Sequence, residues 1–192
     1  YNHLKSIGDK NYGLYVSGAA ENKGNIDFSV GIGNVGIYSY LKGAIAGTKP
    51  GLVQNYGEIK VSKSDISDPN HRKYGIGMAA GFTEEEPIGS GTKVLRGTGN
   101  IKNEVGGVIK VTDENSIGMY ATGKGSVAEN AGRIELSGNN RNIGMFIEEG
   151  AEGINTGTIT TVGSGNKKQI GIAVMSGGIL DNRGNSQIDA EY

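Results

Sequence analysis

The densest run of ionisable side chains in this sequence is Glu84, Glu85 and Glu86, inside GFTEEEPIGSGTKVLRGTGN at residues 81–100. Adjacent carboxylates can hold a cation or a basic partner, and they can equally form a solvated loop. Calcium asks for several oxygen ligands at set spacing. Neither the EF-hand spacing nor the calcium-binding nonapeptide GGxGxDxUx occurs. Glycoside hydrolysis asks for two carboxylates facing one cleft, roughly 5–10 Å apart. Glu148, Glu149 and Glu152 do cluster, but at a turn with no opposing histidine or basic partner. The histidines, His3 and His71, lie near the N-terminus and in an insertion, and no Ser-His-Asp arrangement is evident. GIGNVG at residues 31–36 has the GxGxxG spacing without the helix that should follow it. There is no cysteine, which excludes zinc-thiolate and cysteine-nucleophile chemistry. These residues predict no catalytic group, no metal site and no cofactor, and hence a protein that is not an enzyme.

Two other sets recur at fixed spacing. Tyr15, Tyr38, Tyr120 and Phe146 each follow a glycine by two residues, and exposed aromatics can stack on sugar rings. The third and sixth units place Gly77 and Ala173 there, so the column is broken, and aromatics beside glycine on a sheet face are also ordinary packing. Asn22, Asn55, Asn103, Asn130, Asn155 and Asn182 each open an Asn-x-Gly phrase, with two extra residues in the copy from Asn103. Stacked side-chain amides can hydrogen-bond as a ladder, so this column is expected to be structural.

Both sets belong to one repeating unit. Its first phrase reads NYGLYVSG, NVGIYSY, KYGIGMAAG, NSIGMYATG, NIGMFIEEG and KQIGIAVMSG. Side chains alternate across a strand, which predicts that Ile143, Met145 and Ile147 share one face, as do Tyr12, Leu14 and Val16, with glycine and the aromatic opposite. The second phrase reads NKGNIDF, NYGEIKV, NEVGGVIKV, NAGRIEL, NTGTITT and NRGNSQI. Here Ile134 and Leu136 face one way, and the intervening positions run Asp27, Lys60, Lys110, Glu135, Thr160 and Gln187, with no carboxylate pair. This is period two, the signature of strands.

The last three units are about 25–27 residues long, typical of stacked repeats whose faces are buried only by their neighbours. At about 4.8 Å per coil, six copies make a rod of roughly 30 Å. The reading is all-β: a single-stranded parallel β-helix, a solenoid of about six to seven coils spanning residues 1–192. Insertions interrupt it at residues 40–51, 62–72 and 81–100, and these are where a binding patch would sit.

Composition agrees. Glycine supplies 35 of 192 residues against an average of roughly 7%, while proline supplies 3. Collagen is excluded by the lack of a Gly-X-Y period. A net charge of −1 with apolar residues in register argues against disorder. Interspersed charges give no footprint for nucleic acid or anionic membrane, and no apolar run approaches the roughly 18–20 residues of a membrane span.

NIGMF, SIGMYATG, NAGRIELSG and NTGTI resemble the passenger repeats of fusobacterial autotransporter adhesins, type V secreted surface proteins. The resemblance runs through both phrases in all six units. It implies a right-handed helix, an extracellular place on the bacterial cell surface and a C-terminal translocator barrel in the parent chain. It also implies attachment, without membrane contact by this segment, to a host-cell or bacterial surface protein or glycan. Both ends read as ordinary repeat text, so a segment of a longer passenger is expected. A passive stalk presenting a distal binding domain and a carbohydrate-active β-helix enzyme, a lyase or glycoside hydrolase, are the alternatives.

Overall fold

A computed structural model describes residues 3–42, 50–68, 72–89, 91–137, 141–163 and 168–187. The chain is a parallel β-helix with three sheets running along its length, and no helix occurs among the described residues. The first sheet stacks the Asn-x-Gly phrases: His3–Lys5, Asn25–Ile32, Glu58–Lys63, Val108–Val111, Arg133–Leu136, Thr158–Thr161 and Asn185–Gln187. The second stacks the glycine-aromatic phrases: Tyr12–Val16, Val35–Ser39, Ile76–Ala80, Ile117–Thr122, Ile143–Glu148 and Ile170–Val174. The third stacks the short segments that end on the asparagines: Ala20–Asn22, Val53–Asn55, Asn100–Asn103, Val127–Asn130, Glu152–Asn155 and Ile179–Asn182. Every coil visits the second, third and first sheets in that order.

Pairing between coils is residue over residue. Ile26, Ile59, Ile109, Ile134 and Ile159 are successive partners in the first sheet, and all are fully buried. Met119, Ala121, Ala128 and Leu136 close the interior of one coil and are equally buried. Burial of such side chains stabilises by about 1.5–3 kcal/mol each for the larger ones, but only because the neighbouring coil covers them.

The asparagines turn the corner between the third and first sheets, and they form an unbroken amide ladder. Asn22 Nδ2 donates to Asn55 Oδ1 at 2.8 Å, and Asn55 to Asn103 at 2.9 Å. Asn103 donates to Asn130 and Asn130 to Asn155, both at 2.9 Å, and Asn155 to Asn182 at 2.8 Å. Asn55, Asn103, Asn130 and Asn155 are completely buried. An amide suits this column because it donates and accepts at once. The glycine two residues after most of these asparagines is needed for proximity and not for a left-handed bend: a β-carbon at Gly157 would collide with the Gly132 carbonyl, and neither has positive φ.

A second polar column turns the corner between the first and second sheets. Asn11 N–H donates to Asn34 Oδ1 at 2.8 Å, Ser116 N–H to Asn142 Oδ1 at 2.9 Å, and Asn142 N–H to Gln169 Oε1 at 3.1 Å. The third coil puts Gly75 in this column. There Ser64, from the 62–72 insertion, reaches in: its Oγ accepts from Gly75 N–H at 2.9 Å and donates to Asn115 O at 2.6 Å.

The second sheet departs from simple alternation. Met145 and Ile147 do face the interior, but Ile143 belongs to an outer apolar cluster with Val35, Ile76, Ile117 and Phe146. Tyr12 likewise packs against Tyr15 and Tyr38, outside. The cause is the glycine. A β-carbon on Gly118 would sit 2.7 Å from Ile134 Cγ2, inside the coil, and 2.6 Å from the Gly144 carbonyl oxygen of the next coil. Glycine and the residue after it both point inward, so the parity shifts by one and the residue before glycine is turned out beside the aromatic.

Asn130→Ala leaves two buried amides short of a partner and is expected to cost about 2–4 kcal/mol in urea unfolding. Asn130→Asp puts a carboxyl in the buried ladder, where loss of hydration raises its pKa. Its native state is therefore expected to lose stability as pH rises through that value, and a deficit relative to Asn130→Ala should widen from pH 4 to pH 8. Gly118→Ala is expected to cost about 1–3 kcal/mol through overpacking, whereas Gly18→Ala, with open space around it, should leave the melting temperature unchanged.

Candidate functional site: a gap in an aromatic face

The shift of parity at glycine gives the second sheet an outer face of its own. Tyr15, Tyr38, Ala79, Tyr120, Phe146 and Ala173 are successive partners on it. The third coil therefore contributes Ala79 to this column, and not Gly77. Gly77 stands in the glycine column, where its absent β-carbon faces Ile109 Cγ2 and the Gly118 carbonyl. Taking Gly75 as the column glycine displaces the alignment by two residues.

The rings on either side of Ala79 pack as two groups. Tyr15 meets Tyr38 at a centroid distance of 5.2 Å, Tyr38 lies nearly parallel to Tyr40 at 5.5 Å, and Tyr40 meets Phe82 edge-on at 6.1 Å. Tyr120 meets Phe146 at 5.7 Å on the far side. Tyr12 and Tyr15, though packed on each other, are 53% and 58% exposed.

Over Ala79 lies an open depression of about 280 Å³. Val35, Ile76 and Ala79 floor it; Tyr38, Tyr74, Phe82 and Tyr120 stand around it. Two insertions meet there. Arg72 ends the 62–72 insertion and Lys73 follows it, while Phe82 and Thr83 begin the 81–100 insertion. That second insertion is a β-hairpin, Phe82–Ile88 paired antiparallel with Gly91–Thr98, which in turn pairs with Leu41–Lys42. Glu84, Glu85 and Glu86 thus lie on a strand and not in an irregular loop; their side chains lie outside the described residues. Residues 43–49 of the 40–51 insertion and His71 lie outside them too.

The acids beside the depression are engaged by hydroxyls. Tyr120 Oη donates to Glu148 Oε1 and Thr83 Oγ1 to Glu149 Oε2, both at 2.6 Å. Burial, with Glu148 as a second cause, raises the Tyr120 phenol well above the ordinary tyrosine range. Glu152 begins a strand of the third sheet and is exposed. Among the described residues no group of three or more His, Asp or Glu side chains is placed to hold a metal ion. A larger hollow of about 580 Å³ lies among His3, Leu4, Leu14, Glu21, Asn22 and Lys23 at the first coil; Glu21 and Lys23 are ion-paired with each other there.

The family model for the BigA third pectate lyase-like domain matches residues 2–151 and, again, residues 99–192. The chain belongs to that family. The two matches of the BigA third pectate lyase-like domain overlap across residues 99–151, as a repeat in equivalent coils permits. No curated protein and no solved structure matches the chain.

The Tyr120–Glu148 bond gives this face a pH signature. A phenol whose folded pKa is raised contributes stability below its unfolded value of about 10 and loses it as pH rises beyond. The parent is therefore expected to exceed Tyr120→Phe by about 1 kcal/mol at pH 8, and the gap should close above pH ~10, read by urea unfolding at both pH values.

Proposed function

We propose that this chain is a non-enzymatic segment of a bacterial surface adhesin passenger, and that it attaches the cell to a host-cell or bacterial surface protein or glycan. The observation that carries this reading is the convergence of two insertions on one groove, at the single coil where an alanine interrupts the aromatic column between Tyr38 and Tyr120. The β-helix of this family supplies the shaft, and the passenger-like wording of both phrases of the repeat supports a type V autotransporter of the fusobacterial kind, with its translocator barrel elsewhere in the parent chain. The place that fits such a rod is the extracellular side of the outer membrane.

The unbroken ladder from Asn22 to Asn182 favours a second reading, a passive stalk, because it stiffens every coil alike. Catalysis is supported by the family description's likeness to pectate lyases alone. The acids beside the groove are instead occupied by Tyr120 and Thr83.

The hairpin separates adhesin from stalk. It leaves and re-enters the coil at one place, since Gly99 lies against Ala80 and Gly81. The next coil crosses the same interval, from Ala121 to Val127, with the five residues Thr122–Ser126. Replacing residues 81–99 by a copy of that turn is expected to preserve cooperative unfolding and to abolish binding of the chain to cells; unchanged binding would leave the stalk.

A further inference from the structure

We infer that the groove over Ala79 takes an anionic saccharide, with its ring laid between Tyr38 and Tyr120 and its acidic group directed to Arg72 and Lys73. This rests on the reading of the chain as an adhesin and names the ligand class for it. Size is the first argument: about 280 Å³ is near the lower end of small-ligand sites, and the space is open, which fits one or two rings and not a docked helix. Ring geometry is the second. Tyr38 and Tyr120 flank Ala79 in consecutive register, so they stand two coils apart, about 9–10 Å, with an apolar floor between them. A flat ring with one apolar face can lie in that space.

Polar chemistry is the third. Thr83 and Thr122 line the same groove; their hydroxyl hydrogens go to Glu149, and Tyr120 donates to Glu148, so the two threonine oxygens are left to accept from a polyhydroxyl ligand. Charge is the fourth. Arg72 and Lys73 are exposed at the rim, and neither forms an ion pair among the described residues; Arg72 Nη1 reaches only the Tyr74 hydroxyl, at 3.4 Å. Asp65 is bridged to Lys73 through the backbone, at 2.7 and 2.8 Å; its carboxylate accepts from the Ser67 hydroxyl at 2.6 Å, which favours the charged form, so the rim carries one carboxylate beside its two cations. Two cations beside aromatic walls complement a carboxylate or sulfate on a sugar.

The test is an NMR titration of the 192-residue chain with lactose, 3′-sialyllactose, 3′-sulfolactose and tetraglutamate. A charged lactose is expected to bind about tenfold more tightly than lactose, and whichever of the two binds better identifies carboxylate or sulfate as the anion. The double variant Arg72→Ala/Lys73→Ala should fall to the affinity of lactose. Ala79→Tyr, which completes the column with the side chain that both neighbouring coils carry, should still unfold cooperatively and bind none of the probes. Equal binding of lactose and its charged forms, binding of tetraglutamate as tight as either, or failure of every probe overturns the inference. Cell attachment by the same variants separates the two levels. An Ala79→Tyr chain that still attaches removes the saccharide groove and leaves the adhesin, whereas a parent chain that binds sialyllactose but no cell removes the adhesin.

Discussion

A buried amide can be satisfied by a copy of itself only when that copy lies one strand spacing away, in the same orientation. This constraint organises the whole molecule. The chain of bonds from Asn22 to Asn182 fixes where each coil turns, and therefore which residues stack above which. Once the corner is fixed, the isoleucines of the first sheet fall into a single column, and interior burial follows from register. Apolar packing supplies most of the favourable free energy, but it does not choose the register, because isoleucine packs acceptably against many neighbours. The amides choose it, because a displaced amide loses both partners in a place that water does not reach.

Much of this was legible in the amino acids. Asn-x-Gly recurs with a following apolar residue, and period two is plain in Ile134 and Leu136, so strands, coils and the ladder column could all be anticipated. The inversion of the second sheet could not, since alternation counts every residue as one step. At Gly118 and its equivalents the absence of a β-carbon lets the strand approach Ile134 and the neighbouring carbonyl, and two successive residues point inward. Hydrophobic pattern alone sees Ile143 and Met145 as equivalent, although they serve different layers.

The groove was hidden for a related reason. KYGIGMAAG offers two glycines as candidates for one column, and the choice between Gly75 and Gly77 decides whether Ala79 is noticed at all. Contact with Ile109 and the Gly118 carbonyl settles it in favour of Gly77. Arg72 and Phe82, which help frame the groove, come from the margins of insertions, where no period exists to place them. The signal that would have found them is negative: one coil among its neighbours bears a methyl group where they bear rings.

A zipper with identical teeth can close one tooth out of step and still look closed, and the six asparagines are identical teeth. The other corner is not uniform. Its third tooth is missing, and a serine from outside the repeat fills the notch, bonded to Gly75 and Asn115. Slip the next coil by one repeat and Ser64, which travels with Gly75, meets Asn142 in place of Ser116. A single irregularity therefore lets a repetitive chain count its own turns.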